Sequence, residues 1–188
     1  MSEAIVIPRP DIRTMEIPII GTTPLICHKW SEKAKKEMLA KQTKKASAGK
    51  GAKDPKKDYE DSLYIHPDGG YGFPSVAFKA AAVRAAKQVG MAMTDARVAF
   101  HVAGELVRIE GDPSMREDMV RLNGQTADIR YRGEFKAWRT TVEVSFNANM
   151  ISPEQIVNLF SIAGFSVGVG EWRPERNGQY GRFEIAGS

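Results

Sequence analysis

Within residues 164–183 the chain reads GFSVGVGEWRPERNGQYGRF. Arg173, Arg176 and Arg182, with the aromatic residues Trp172 and Tyr180, are interleaved there with five glycines. Guanidinium forks contact phosphate oxygens, and an indole or phenol ring gives a base a face to stack on. Glycines beside them let a backbone take positive φ and approach a ligand closely. That is the chemistry of a single-stranded nucleic-acid site; an ordinary surface loop is the competing reading of the same residues. Arg130 and Arg132 add two guanidinium groups on a strand, where solvated strand residues are the alternative.

A second source of phosphate contacts lies upstream. Residues 33–57 hold ten lysines against two acids, Glu37 and Asp54, so they carry +8 where the whole chain carries +4. Lys44, Lys45, Lys50 and Lys53 belong to a basic finger that would close over a polyanion. A solubilising insertion is the other reading, since SAGKGAKDPKK has few apolar residues and reads as mobile. His28, His66 and His101 are the candidates for general acid–base work, and His28 stands beside Cys27. Their spacing forms no recognised catalytic or zinc pattern, and no phosphate-binding glycine motif follows a strand. No metal or cofactor is expected. A lone cysteine excludes an intrachain disulfide and suits a reducing cytoplasm. No apolar run has the length of a membrane span.

These groups need a frame. Residues 12–20 alternate Met15, Ile17 and Ile19 with Thr14, Glu16 and Pro18, the period of a half-buried strand. Pro18 argues against a fully paired central position. Ser31 is the expected cap of a helix running to Ala46. Asp68-Gly69-Gly70 centres a hairpin over 64–73. Phe78, Ala81, Ala82, Ala85 and Val89 share one face of a helix over 75–89, stopped by Gly90. A strand over 98–109 shifts its apolar parity at Gly104, as a β-bulge would. Asp112 and Pro113 predict a short helix ended by Asn123-Gly124. Strands follow over 127–132 and 136–147, the second with Trp138, Thr140, Val142, Val144 and Phe146 on one face. Ser152-Pro153-Glu154-Gln155 opens a helix with the stripe Ile156, Leu159, Phe160 and Ala163, and Gly164 is its stop. The last strand covers 182–186.

This order gives an α+β class: a ferredoxin-like (RRM-like) β-α-β-β-α-β core with an antiparallel sheet, one domain over 1–188. A basic flexible insertion occupies 31–63 after the first strand. Both helices would cover one sheet face, leaving the other to meet a ligand, as in RNA-recognition folds.

Residues 72–86, GFPSVAFKAAAVRAA, and residues 168–185, GVGEWRPERNGQYGRFEI, resemble two segments of the RAMP superfamily, RNA-binding proteins that include the backbone subunits of CRISPR effector complexes. The first is similar to the segment that opens the family's first helix, with Lys79 five residues after Pro74. It departs from the pattern at Ala80, where a glycine is usual, and at Arg84, which comes one residue late. The second resembles the glycine-rich loop before the last strand. The resemblance implies single-stranded RNA, favoured over DNA, as ligand, and repeated subunits in a homo-oligomer or filament, with no membrane role. A phage-encoded relative of that family is one form the resemblance allows. By position, Lys79 and Arg84 fall on the ligand side of the first helix, and Arg173 and Arg176 on the loop. The function expected is non-catalytic binding. Some relatives cut RNA, so a metal-independent ribonuclease using His28 is one alternative. A protein-binding mimic that takes a place in an effector complex is another.

Overall fold

Alternation over residues 12–21 becomes strand β1 (Ile12–Gly21) in a computed structural model that describes residues 7–30, 32–43, 53–122 and 126–187. Then come β2 (Leu25–Cys27), α1 (Glu32–Gln42), α2 (Pro55–Ser62), β3 (Tyr64–Ile65), β4 (Tyr71–Pro74) and α3 (Ser75–Ala86). The chain continues through α4 (Met93–Ala99), β5 (Phe100–Val102), β6 (Leu106–Ile109), β7 (Pro113–Leu122), β8 (Thr126–Phe135), β9 (Arg139–Asn147), α5 (Pro153–Ser166) and β10 (Phe183–Ile185). The main sheet has the order β10-β1-β9-β5, antiparallel throughout. With α3 and α5 as the connecting helices, that is β-α-β-β-α-β in the spatial order 4-1-3-2 of the ferredoxin-like fold. Two smaller sheets, β2-β8-β7 and β3-β4-β6, extend it. Among the described residues no helix is long and apolar enough to cross a membrane.

The core follows from the patterning. Ile17 and Ile19 of β1, with Val142, Val144 and Phe146 of β9, are buried under α3 and α5. Helix α5 starts on a capping box: Gln155 N–H donates to Ser152 Oγ at 3.2 Å, and Ser152 N–H donates to Gln155 Oε1 at 2.9 Å. Its stripe Ile156, Leu159, Phe160 and Ala163 is buried, each large side chain contributing about 1.5–3 kcal/mol by leaving water. Phe78 of α3 packs on Trp138 and Phe183, at ring distances of 6.5 and 5.9 Å. Trp138 keeps its polar atom satisfied by donating to the Thr23 carbonyl at 2.9 Å. Cys27 is fully buried, which pushes its thiol up to about 12 and leaves it inert.

Several local expectations give way to tertiary context. Pro18 does sit in a central strand. Its carbonyl accepts from Ala186 just past the end of β10, and its nitrogen points to that same side, so the missing N–H costs the β9 ladder nothing. Residues 98–109 are not one bulged strand. Gly104, at φ 72°, turns the chain from β5 in the main sheet to β6 in another. Pro113–Leu122 is a strand and not a helix, because it pairs with β8 along its whole length, from Pro113 opposite Phe135 to Leu122 opposite Thr126. Val89 is 55% exposed, since it ends the 3-10 turn Lys87–Val89 that follows α3. The insertion is not all loose chain. Asp54 caps α2 by accepting the Lys57 N–H, and Ser62 Oγ accepts the Gly133 N–H of β8 at 2.8 Å. The proposed cap Ser31 lies outside the described residues.

Gly164 lies within α5 and does not stop it. A Cβ there would fall 2.0 Å from the Phe183 carbonyl oxygen, so the glycine is what lets α5 lie on β10. Alanine normally gains about 1 kcal/mol over glycine inside a helix. Gly164→Ala is nonetheless expected to destabilise by at least about 2 kcal/mol, because backbone must move. A urea midpoint equal to or above that of the wild type would contradict this packing.

Candidate nucleic-acid interface

The loop after α5 folds back on itself and on β2. Val169 N–H donates to the Gly181 carbonyl at 2.9 Å, Gly181 N–H to Pro24 at 2.8 Å, and Glu171 N–H to Ile26 at 3.1 Å. A Cβ on Gly178 would lie 1.7 Å from the Trp172 oxygen, and one on Gly170 2.6 Å from the Ile26 oxygen. These glycines therefore serve close approach within the chain, where the sequence suggested approach to a ligand. Trp172 adopts φ 54°, a left-handed conformation that a bulky residue takes only when its surroundings impose it, and its side chain stays partly in solvent.

Beside this loop lies a cavity of about 310 Å³. Helix α3 contributes Val76, Ala77, Ala80, Ala81 and Arg84, the i, i+4 face of its first turns. The β2 end contributes Ile26 and His28, the hairpin Tyr64 and Phe73, and the loop Gly168 to Glu171 and Arg173. Arg84 and Arg173 share one carboxylate. Arg84 Nε meets Glu175 Oε1, while Arg173 donates from Nε and Nη2 to Glu175 Oε2 at 3.0 and 2.9 Å, and from Nη1 to the Gly170 carbonyl at 3.0 Å. His28 Nδ1 lies 3.6 Å from Glu171 Oε1. That contact, and behind it the charge of Arg132, outweighs burial and holds the Glu171 carboxyl below its ordinary range. Its ionised state is therefore the stable one at neutral pH, and what it contributes is lost only on acidification through that depressed value.

The other candidates divide. Arg176 is exposed on the 3-10 turn Pro174–Arg176. Tyr180 is half-buried, with the Arg116 guanidinium 4.6 Å from its ring centre, so that face is already taken. Arg132 is buried, bonded to Asp118 at 3.4 Å with its Nε unpartnered, and Arg130 pairs with Asp128 at 2.9 Å. Neither is a simple solvated strand residue. Lys53 also bonds Asp128 and the Ile129 carbonyl. Lys79 points away from the cavity toward the edge strand β5, where its Nζ lies 2.9 Å from His101 Nδ1. Burial, then the charge of Arg97, lowers its pKa. Lys44, Lys45 and Lys50 lie outside the described residues. The open face of the main sheet carries Glu16 directly opposite Glu143, with Glu184 and Arg139 on either side of Ile20, so three carboxylates against one guanidinium leave it a poor bed for a phosphate chain.

No protein-family model matches the chain, and no curated protein matches it. Among solved structures it is similar to Cmr6 from Pyrococcus furiosus. The TM-score is 0.44 at 10% identity, over 93% of this chain and 99% of that one.

The sequence alone gives no site role to four participants: Tyr64, Arg116, Glu171 and Glu175. Arg116 and Asp118, two residues apart, share a strand face, but that parity is invisible while 113–122 is taken for a helix. Glu175 holds two guanidinium groups together. Glu175→Gln should therefore lower stability by about 1–3 kcal/mol, the worth of charge-assisted bonds lost with the guanidiniums left unpaired. An unchanged denaturation midpoint would show that the clamp contributes nothing.

Proposed function

We propose that the protein binds single-stranded nucleic acid, RNA in preference to DNA, without cutting it. The observation that carries this is the convergence of Arg84 from α3 and Arg173 from the loop on one oxyanion, the Glu175 carboxylate. Two guanidinium groups so placed form a forked oxyanion site, and a phosphate of the strand competes with Glu175 for it. Trp172, fixed by its backbone and partly exposed, supplies a stacking surface next to it. Arg176 adds a charge at the loop's tip. The lysines of 33–57 supply attraction without sequence preference. Copies of the chain repeated along one strand would use the same contacts in each copy.

The joint variant Arg173→Ala, Arg176→Ala should weaken binding of labelled oligouridine. The slope of log affinity against log salt should become shallower by about 1.4, from two phosphate contacts on a single strand. Unchanged affinity and slope in a fluorescence-anisotropy titration would remove the loop from the interface.

One observation favours ribonuclease as a second reading: His28 and Glu171 form an acid–base pair at the cavity. If RNA is cut, cutting should persist in chelator and be lost in His28→Ala. RNA left intact by the wild-type protein after prolonged incubation rules it out.

A further inference from the structure

The cavity lining is chemically mixed, and a phosphate uses only part of it. Arg84 and Arg173 supply its positive groups. Glu171 supplies an acceptor, its carboxylate beside His28 and its root pinned by the bond to Ile26. Phe73, Ala77 and Ala80 add apolar lining. A purely anionic ligand would be repelled by Glu171, and a purely apolar one would strip water from charged groups without replacing it. A ligand that satisfies all three parts has a negative group, a flat apolar body and N–H donors on the far edge.

The donor pattern narrows the choice. An ionised carboxylate accepts and does not donate. On their pairing edges, adenine and cytosine place one amine beside an acceptor nitrogen, and uracil places one N–H between two carbonyls. Guanine alone presents two adjacent donors, N1–H and the N2 amine, which one carboxylate accepts together. The preference of Glu171 for its ionised form keeps that acceptor present at neutral pH. A volume of about 310 Å³ is at the small end of ligand sites and suits one nucleotide, not a stacked run.

We infer that this cavity takes a single guanosine nucleotide of the bound strand, with Glu171 accepting from the guanine edge and Arg84 and Arg173 facing the phosphate. This rests on the nucleic-acid-binding function proposed above. It adds a base preference to contacts that are otherwise indifferent to sequence. Glu171 is then the residue that reads the base, and Glu175 is the internal anion that the phosphate displaces.

Three labelled oligomers test it by fluorescence anisotropy: oligouridine, the same oligomer with one guanosine, and the same with one inosine, which lacks the N2 amine. The wild-type protein should bind the guanosine oligomer about tenfold more tightly than oligouridine, the discrimination of one good bidentate pair, with inosine between them. Glu171→Gln removes the paired acceptor. Ala80→Leu fills the cavity from a half-exposed position. Each should bring the guanosine-to-uridine ratio to within about twofold, the bidentate term being lost. Equal affinity of the wild type for guanosine and uridine oligomers overturns the inference while leaving nucleic-acid binding intact. So does a wild-type ratio in Glu171→Gln. If the wild type binds none of the oligomers, the binding function itself fails, and the guanosine site with it.

Discussion

Gly181 lies so close to Val169 that a Cβ on it would fall 1.7 Å from the Val169 oxygen. The two residues are also joined by a backbone hydrogen bond, and Gly181 is bonded in turn to Pro24 ahead of β2. This three-way backbone contact ties the end of α5, the start of β10 and the edge of the second sheet into one body. The chain between Val169 and Gly181 must then close a compact loop. That closure puts Trp172 at positive φ, and it sends Arg173 and Glu175 back toward α3. A Cβ-bearing residue at 181 would open the loop and disperse the groups around the cavity. The site is thus a consequence of backbone packing, with the side chains carried along.

Several of the described charges are spent internally. Arg116 bonds Asp118 and Glu134, both at 2.8 Å. Lys57 pairs with Asp61 along α2 at 3.3 Å, and Lys53 holds Asp128 on the hairpin. The bond from Lys53 is the main reason the Asp128 carboxyl sits below its usual range. A tally of basic residues therefore overstates what is available to a ligand. The proposed interface relies on Arg84 and Arg173, both held by the Glu175 carboxylate, and on the partly exposed ring of Trp172.

Much of the frame was legible in the sequence. The capping box at Ser152, the apolar stripe of α5 and the alternation of β9 are local signals that tertiary structure had no reason to override. They suffice for the β-α-β-β-α-β order. The long hairpin was not legible, because Asp112-Pro113 is a helix signal and only the pairing with β8 decides for a strand. Gly164 misleads for a related reason: a glycine late in a helix reads as a stop, while its cause here is β10, which crosses so close that a Cβ has no room. Around the cavity, composition alone points to Arg173. Glu171 and Glu175 carry no such signal, since nothing in one dimension shows that two arginines from distant segments meet at one carboxylate.

The acidic outer face of the main sheet bears on how a partner arrives. Glu16, Glu143 and Glu184 lie on the side of the sheet opposite α3, whereas the arginines of the cavity lie on the helix side. Under the proposed function, three carboxylates on the outer face would disfavour the approach of a polyanion from that flank, an effect that weakens as salt shortens its range.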